Sequence, residues 1–188
     1  MVSIGGIEER KNTIRILEAF IQLRRQWPHA QLAIVGGASL LDHSHYRTQF
    51  ASILNTSGLS VGPRRDVVIT GVLADTDMPA VLRLARVVAF PSLREGFGLV
   101  VLESLASGTP TVVSNIAPFT EYLSTNDAHW ADPLDCASIT SALAAAIATP
   151  KFHPPEVCRR FNWAASAARH VGLYREFLHA HSRLRRRK

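Results

Sequence analysis

The sequence predicts an α/β protein built on a doubly wound, parallel, Rossmann-like sheet. Short apolar runs alternate with longer segments of helical periodicity about six times, and no repeat of fixed period is visible. Such alternation is typical of a parallel sheet that is covered by helices on both faces. Two of the apolar runs lead directly into paired glycines, as strands of this fold class do where a ligand-binding loop follows.

The first half of the chain contains three predicted strand–helix pairs. Pro28 ends the first helix, Gly71 follows the third strand, and Asp77 with Pro79 is typical of a helix start. In order, the strands are at residues 2–6, 32–35 and 67–70, and the helices are at residues 14–27, 45–55 and 77–85.

The second half repeats the pattern. Gly108 suits the position after a helix C-terminus, Pro150 ends an alanine-rich helix, and Asn162 is expected to cap the final helix. In order, the strands are at residues 87–90, 111–114 and 129–131, and the helices are at residues 99–107, 119–122, 137–148 and about 162–179.

The fold class brings two distant segments together. In the usual doubly wound order strand 1 lies beside strand 4, and ligands bind in the crevice at the carboxyl ends of these two strands. Here strand 1 leads to Arg10 and Lys11, and strand 4 leads through Pro91 to Glu95-Gly-Phe-Gly. We therefore expect two basic side chains to face a glycine-rich turn across one crevice.

The turn after strand 4 carries the strongest chemical signal of the sequence. Gly96 and Gly98 bracket Phe97, and a helical pattern begins at Leu99. Free backbone N–H groups and the positive end of the helix dipole meet at such a junction, and both favour a phosphate group. Glycine lets a ligand approach the backbone because it has no Cβ.

Two carboxylates frame this turn, with Glu95 before the glycines and Glu103 about one turn into the helix. A carboxylate accepts hydrogen bonds on both oxygens, so it can hold two neighbouring hydroxyl groups. The pair suits a nucleoside-diphosphate sugar, which has hydroxyl groups at both ends and phosphates between them. The alternative is structural, with Glu103 a solvated helix residue and Glu95 a favourable charge near a helix N-terminus.

The segment Glu95-Gly-Phe-Gly-Leu-Val-Val-Leu-Glu103, followed by a small-residue helix that ends in Gly-Thr-Pro, resembles the Glu-x7-Glu motif of the retaining glycosyltransferases of family 4. The resemblance implies that the chain is the single C-terminal, donor-binding half of a GT-B fold. It also implies that Glu95 contacts the donor sugar, that Glu103 contacts the ribose, and that backbone N–H groups of residues 96–99 contact the phosphates or the sugar.

Residues 9–12, Glu-Arg-Lys-Asn, are also similar to this family. The resemblance implies that Lys11 contacts the diphosphate with Arg10 as a weaker neighbour, which makes Lys11 and Glu95 the candidate catalytic residues. Many members of the family have an arginine directly after the glycine of the first strand. This chain has Gly6 there, so one of two expected phosphate cations is absent.

The same resemblance implies a site and partners beyond this crevice. Gly71 and Val72 match the region that holds the nucleotide base. The expected enzyme is a hexosyltransferase that needs no metal or other cofactor besides its nucleotide-sugar substrate. Its N-terminal, acceptor-binding half would be missing, so the apolar face of the helix at 162–179 would be partly uncovered and sugar transfer by this chain alone would be poor.

Composition and charge restrict the classes of function. With 47% hydrophobic and 19% charged residues, the chain is typical of one globular domain over residues 1–188, with no signal peptide or membrane span. Cys136 and Cys158 form no disulfide framework, so a cytoplasmic setting is expected. Much of the net charge of +6 lies in the basic tail at 183–188, which is a frayed terminus or, alternatively, a contact with an anionic membrane surface. No motif for binding nucleic acid accompanies it.

Two acidic segments resemble metal sites only superficially. Asp75-Thr76-Asp77 is the kind of triplet that holds a divalent cation in another class of glycosyltransferases, but it precedes a helix, where aspartate is expected as a cap. The histidines of Asp42-His43-Ser44-His45 have no third cluster of ligands and are typical of a loop and helix start. No metal site is therefore predicted.

Three other functions are compatible with parts of the sequence. A nicotinamide dinucleotide is disfavoured because no Gly-x-Gly-x-x-Gly follows strand 1 and no acid follows strand 2 at the required place. A glycosidase with Glu95 and Glu103 as its two acids is disfavoured because those enzymes place carboxylates around a glycosidic bond. A non-catalytic nucleotide-binding or interaction module of Rossmann type remains the alternative.

Overall fold

Six parallel strands form one sheet in the part of the chain that the structure describes. The computed structural model describes residues 1–37 and 43–185, with side chains to residue 179. The strands are β1 (Val2–Ile4), β2 (Leu32–Val35), β3 (Val67–Gly71), β4 (Val88–Phe90), β5 (Thr111–Ser114) and β6 (His129–Ala131). Their order is β3-β2-β1-β4-β5-β6, and all neighbouring strands are parallel. The predicted fold class and the predicted place of strand 1 beside strand 4 are confirmed.

Helices connect the strands on both sides of the sheet. The helices of the described residues are α1 (Thr13–Leu23), α2 (Ser44–Thr56), α3 (Met78–Leu84), α4 (Leu99–Ala106), α5 (Phe119–Tyr122), α6 (Cys136–Ala148), α7 (Glu156–Arg160) and α8 (Trp163–Arg185). Within the described ranges, none of these helices is both long and apolar enough to cross a membrane.

The core lies on both faces of the sheet. In the central strands, Ala89 and Val112 belong to a buried cluster with α1 and α6, whereas Phe90 and Val113 belong to a second cluster with α4 and α5. Successive side chains of a strand point to opposite faces. Both faces are therefore covered, and the central strands are accordingly rich in apolar residues.

The end of the first helix and the capping of the third differ from the prediction. The first helix ends at Leu23 instead of continuing to Trp27, because the chain closes into turns in which Gln26 bonds back to the Leu23 carbonyl. α3 begins after Asp77 as predicted, but the Asp77 backbone is already helical and its side chain makes no capping hydrogen bond. The predicted side-chain cap at Asp77 is therefore wrong.

The C-terminal region is more helical than the sequence pattern indicates. The pattern does not predict α7, because five residues after two prolines are too few to show a period. Asn162 caps α8 as predicted, since its Oδ1 accepts a hydrogen bond from the Ala165 amide at 2.9 Å. α8 then continues to Arg185, beyond the predicted end at residue 179.

Candidate functional site

The crevice between β1 and β4 is built on glycines. The amides of Gly5 and Gly6 both donate hydrogen bonds to the Val35 carbonyl, at 2.7 and 3.1 Å. Gly6 has a φ of 75°, and a Cβ there would collide with the Gly37 carbonyl oxygen. A side chain, including the arginine that many members of the resembled family have here, does not fit this backbone at position 6.

Asn12 ties the loop after β1 to the rest of the crevice, and its sequence context gives no sign of this role. It is buried with a φ of 60°, a left-handed conformation that asparagine tolerates better than most residues. Its side-chain amide donates to the Pro91 carbonyl at 2.9 Å and to the Pro133 carbonyl at 2.7 Å. The Leu93 amide also donates to the Arg10 carbonyl at 2.9 Å. The loops after β1, β4 and β6 are thereby joined.

Lys11 is held in the crevice along most of its length. Its methylene groups pass so close to Gly5 that a Cβ there would come within 2.6 Å of Lys11 Cε, and its Nζ lies 4.3 Å from the centroid of the Phe90 ring. Burial lowers the pKa of Lys11 below the usual value of 10.5, although the hydrogen bond to Glu95 acts in the opposite direction. A fixed and poorly hydrated ammonium group is well suited to bind an anion.

Glu95 lies directly against the two cations. Its Oε1 accepts hydrogen bonds from Lys11 Nζ at 2.7 Å and from Arg10 Nη1 at 3.1 Å. The Glu95 side chain is only 8% exposed, whereas that of Arg10 is 47% exposed and also reaches the buried Glu8 at 3.7 Å. The two basic side chains and the turn after β4 thus meet across one crevice, as the fold class predicted.

The turn that follows Glu95 opens into α4. Gly98 has a φ of 82°, and a Cβ there would collide with the Phe119 ring, so this position requires glycine. Among the described residues, the amide groups of Gly96, Phe97, Gly98 and Leu99 have no hydrogen-bond acceptor. These N–H groups and the positive end of the α4 dipole form a cradle for an anion.

Phe97 supports the turn from behind. Its ring stacks on Tyr122 with a centroid distance of 4.9 Å and meets the Phe161 ring edge-on at 5.4 Å. The Tyr122 hydroxyl donates a hydrogen bond to the Phe97 carbonyl at 2.9 Å. Burial, with a smaller contribution from the Glu95 charge, raises the pKa of Tyr122, so the phenol keeps its proton. The Phe97 ring is therefore held by its aromatic neighbours, whereas its amide group has no acceptor among the described residues.

Glu103 and the segment after β3 are the remaining predicted donor-binding positions. Glu103 is exposed, and it borders a cavity of about 660 Å³ between α4 and the start of α8. No ion pair to Glu103 is found in the described ranges, so its carboxylate is accessible. Gly71 ends β3 with a φ of 69°, and the side chain of Val72 is 79% exposed beside Gly37.

The predicted absence of a metal site has no direct test in the structure. Asp75 and Asp77 are exposed, and within residues 1–37 and 43–185 no group of three potential ligands is close enough to hold a metal ion. Asp42 lies outside the described residues.

Comparison with solved structures shows which class of fold this chain has. In solved structures the chain is similar to sucrose-phosphate synthase from Thermosynechococcus elongatus, with a TM-score of 0.78, 25% identity, and coverage of 95% of this chain and 46% of the other. It is also similar to the C-terminal domain of a glycosyl transferase group 1 family protein from Francisella tularensis, with a TM-score of 0.67, 23% identity, and coverage of 79% and 75%. The fold of this chain is therefore α/β and Rossmann-like, and it matches the C-terminal domains of GT-B glycosyltransferases.

Sequence comparison gives the family. The model of the group 1 glycosyl transferases matches residues 1–165, and the chain belongs to this family. It is 29% identical over 180 residues to a serotype-specific mannosyltransferase of Escherichia coli, and the aligned region covers 89% of this chain and 20% of that protein. It is 27% identical over 183 residues to an O-antigen chain mannosyltransferase of the same species, with coverage of 92% and 44%. The chain thus spans less than half the length of these two relatives.

Proposed function

We propose that this chain is the donor-binding half of a retaining, metal-independent hexosyltransferase of family 4, and that it binds a nucleoside-diphosphate sugar. The observation that carries the proposal is that Lys11 and Arg10 both bond to Glu95, which begins the turn leading into α4, and that the amides of residues 96–99 in this turn have no acceptor in the described chain. Cations and free amides at one crevice edge suit a diphosphate.

The diphosphate is the leaving group of the proposed reaction. As the bond between the sugar and the diphosphate breaks, negative charge grows on the phosphate oxygens. Lys11 is already fixed by Gly5 and Phe90, and the α4 amides are fixed by the helix, so both stabilise this charge without having to rearrange. Arg10 provides a second, more exposed cation. The charge that a metal ion neutralises in other transferases is then neutralised by these groups.

The two carboxylates orient the ends of the donor. Glu95 accepts hydrogen bonds from hydroxyl groups of the sugar, close to the diphosphate. Glu103, which is exposed on α4, accepts hydrogen bonds from the ribose hydroxyls. The nucleotide base lies against Gly71 and Val72, where the open backbone and an exposed apolar side chain provide hydrogen-bonding groups and packing.

The acceptor-binding half belongs to another segment, joined to this chain or present as a separate one. The relatives are more than twice as long as this chain, and α8 exposes large apolar side chains such as Trp163, Leu173 and Tyr174. This face of α8 would pack against that half. By itself the chain would bind the donor but transfer sugar poorly, in the cytoplasm, with the basic segment at 183–188 towards an anionic membrane surface.

The test is calorimetry with UDP, GDP and ADP sugars, in the presence and absence of EDTA. We expect one nucleotide series to bind, with no effect of EDTA, and Glu103→Ala to weaken that binding. Failure of all three series to bind would contradict the proposal, and binding that Glu103→Ala leaves intact would contradict the ribose assignment.

The stereochemistry of transfer is tested by adding the acceptor-binding half, and the transferred sugar should then keep its anomeric configuration. A chain that binds nucleotide but supports no transfer in that mixture would instead be a non-catalytic module.

A further inference from the structure

Both cations of the crevice are already bonded to a carboxylate of the same chain. Lys11 Nζ lies 2.7 Å and Arg10 Nη1 lies 3.1 Å from the same oxygen, Glu95 Oε1. A phosphate oxygen has the same sign of charge and accepts from the same donors as this carboxylate oxygen. As long as Glu95 stays bonded to them, it neutralises part of the positive charge that these cations would offer a diphosphate.

Lys11 and Glu95 differ in how firmly the surrounding residues hold their side chains. The Lys11 chain is confined between Gly5 and the Phe90 ring, so its ammonium group keeps these two contacts when Glu95 moves away. Glu95 belongs to the connection between β4 and α4, and its neighbour Gly96 is exposed with open space where a Cβ would be. Glu95 is consequently the partner that can move when an anion enters.

We propose that Glu95 is an internal counter-ion which the diphosphate of the donor displaces, so that the site favours a complete nucleotide sugar over a nucleoside diphosphate. This inference rests on the proposed function. When a nucleoside diphosphate takes the two cations, the displaced carboxylate loses two charged hydrogen bonds and receives nothing in return. When a sugar is attached, its hydroxyl groups donate to the displaced carboxylate and offset that loss.

The burial of Glu95 and Lys11 determines how strongly the displacement of Glu95 affects ligand affinity. The Glu95 side chain is 8% exposed and that of Lys11 is 10% exposed, so neither charge is fully hydrated where it lies. A poorly hydrated carboxylate that loses its cationic partners is destabilised far more than an exposed one. The same site would therefore hold the donor and release the nucleoside diphosphate after transfer, because Glu95 returns to Lys11 once the sugar has gone.

The test is the affinity of the Glu95→Gln variant for ligands with and without a sugar. Glutamine has nearly the same shape but no charge, so it competes weakly for Lys11 and Arg10. The probes are UDP, GDP, ADP, their sugar derivatives, and inorganic pyrophosphate, which needs only the cations and the cradle. We expect the variant to bind pyrophosphate and the matching nucleoside diphosphate about tenfold more tightly than the original protein. The nucleotide sugar should bind no more tightly than before.

A second variant and a matched control complete the design. Glu95→Ala also removes the charge but cannot accept from the sugar, so it should share the gain for pyrophosphate and lose affinity for the nucleotide sugar. Glu156→Gln removes the same charge from an ion pair whose side chains are 80% and 81% exposed, and should change no affinity. Thermal unfolding checks that each variant is folded.

Unchanged or weaker binding of pyrophosphate by both folded Glu95 variants would overturn the counter-ion role. A different result would contradict the proposed function alone. In that case no nucleotide or nucleotide sugar binds to any form of the protein, while pyrophosphate still binds more tightly to the two Glu95 variants. If pyrophosphate also binds to no form, both proposals are overturned.

Discussion

The Asn12 side-chain nitrogen lies 2.9 Å from the Pro91 carbonyl oxygen, although the two residues are 79 positions apart in the sequence. The same nitrogen donates to the Pro133 carbonyl at 2.7 Å, and all of this is buried. One side chain therefore holds three loops in register. These loops include the residues on either side of the crevice, so the geometry of the site depends on the buried side chain of Asn12.

Replacing Asn12 tests this arrangement. Asn12→Ala leaves two buried carbonyls without their donor and puts alanine in a left-handed conformation, so we expect the free energy of unfolding to fall by about 2–4 kcal/mol. Asn12→Gly tolerates the conformation and should lose less. Urea unfolding measures the change. Asn55→Ala, at an exposed position of α2, is the control, and equal losses for Asn12→Ala and Asn55→Ala would contradict the role of Asn12.

Two glycines of the same turn should respond differently to a methyl group. Gly98→Ala forces a Cβ against the Phe119 ring at a φ of 82°, and we expect a loss of about 1–3 kcal/mol together with weaker anion binding. Gly96→Ala meets no atom within 4 Å and should leave stability nearly unchanged. Unfolding and pyrophosphate titrations of both variants provide the measurement. If Gly98→Ala is as stable as Gly96→Ala, the turn is not constrained as described.

The acidity of Lys11 can be measured directly, because the sequence has only two other lysines, Lys151 and Lys188. NMR of protein with carbon-13 at the lysine ε positions should show Lys11 titrating below the ordinary value of 10.5. Lys11→Arg and Lys151→Arg assign the signals. A Lys11 signal that titrates at or above 10.5 would show that burial does not outweigh the Glu95 charge.

The same shift predicts a direction for stability against pH. Between the lowered folded pKa of Lys11 and the unfolded value of 10.5, the unfolded chain binds more protons than the folded chain. The contribution of Lys11 to the free energy of unfolding therefore rises with pH across that window, and it is least favourable below it. The slope should be compared between the original protein and Lys11→Met, in which this contribution is absent; equal slopes would contradict it.

The exposed side chains of α8 should contribute little to the free energy of unfolding of this chain. Leu173 is 62% exposed, whereas Leu143 of α6 is fully buried. We expect Leu143→Ala to lower the free energy of unfolding by about 2–5 kcal/mol and Leu173→Ala to change it by less than about 0.5 kcal/mol. Chemical unfolding of the two variants measures both. A large loss for Leu173→Ala would mean that this part of α8 packs on the domain.

The fold was predictable because its signals are local. Most strands are short runs rich in apolar residues, and the rule for doubly wound sheets then fixes the order and brings Arg10 and Lys11 to the turn at Gly96. The left-handed backbone at Gly108 was also predictable, because a glycine directly after a helical pattern commonly ends the helix in that conformation.

What the sequence did not reveal depends on partners far along the chain. The hydrogen bonds of Asn12 span 79 and 121 positions and leave no period or motif. The sequence predicts that Glu95 contacts a sugar, but it does not indicate the bonds of Glu95 to both cations. These bonds depend on where Lys11 packs against Phe90. Phe97 looked like part of a ligand loop, and only the structure shows its ring in an aromatic cluster.

The hydrogen bond from the Tyr122 hydroxyl to the Phe97 carbonyl has a consequence on the other side of that peptide unit. The unit is planar and trans, so its C=O and the N–H of Gly98 point in opposite directions within one plane. A phenol that fixes the oxygen therefore also aims the N–H. The direction in which the crevice presents this amide is set from behind the turn, by a side chain of α5 that no ligand needs to touch.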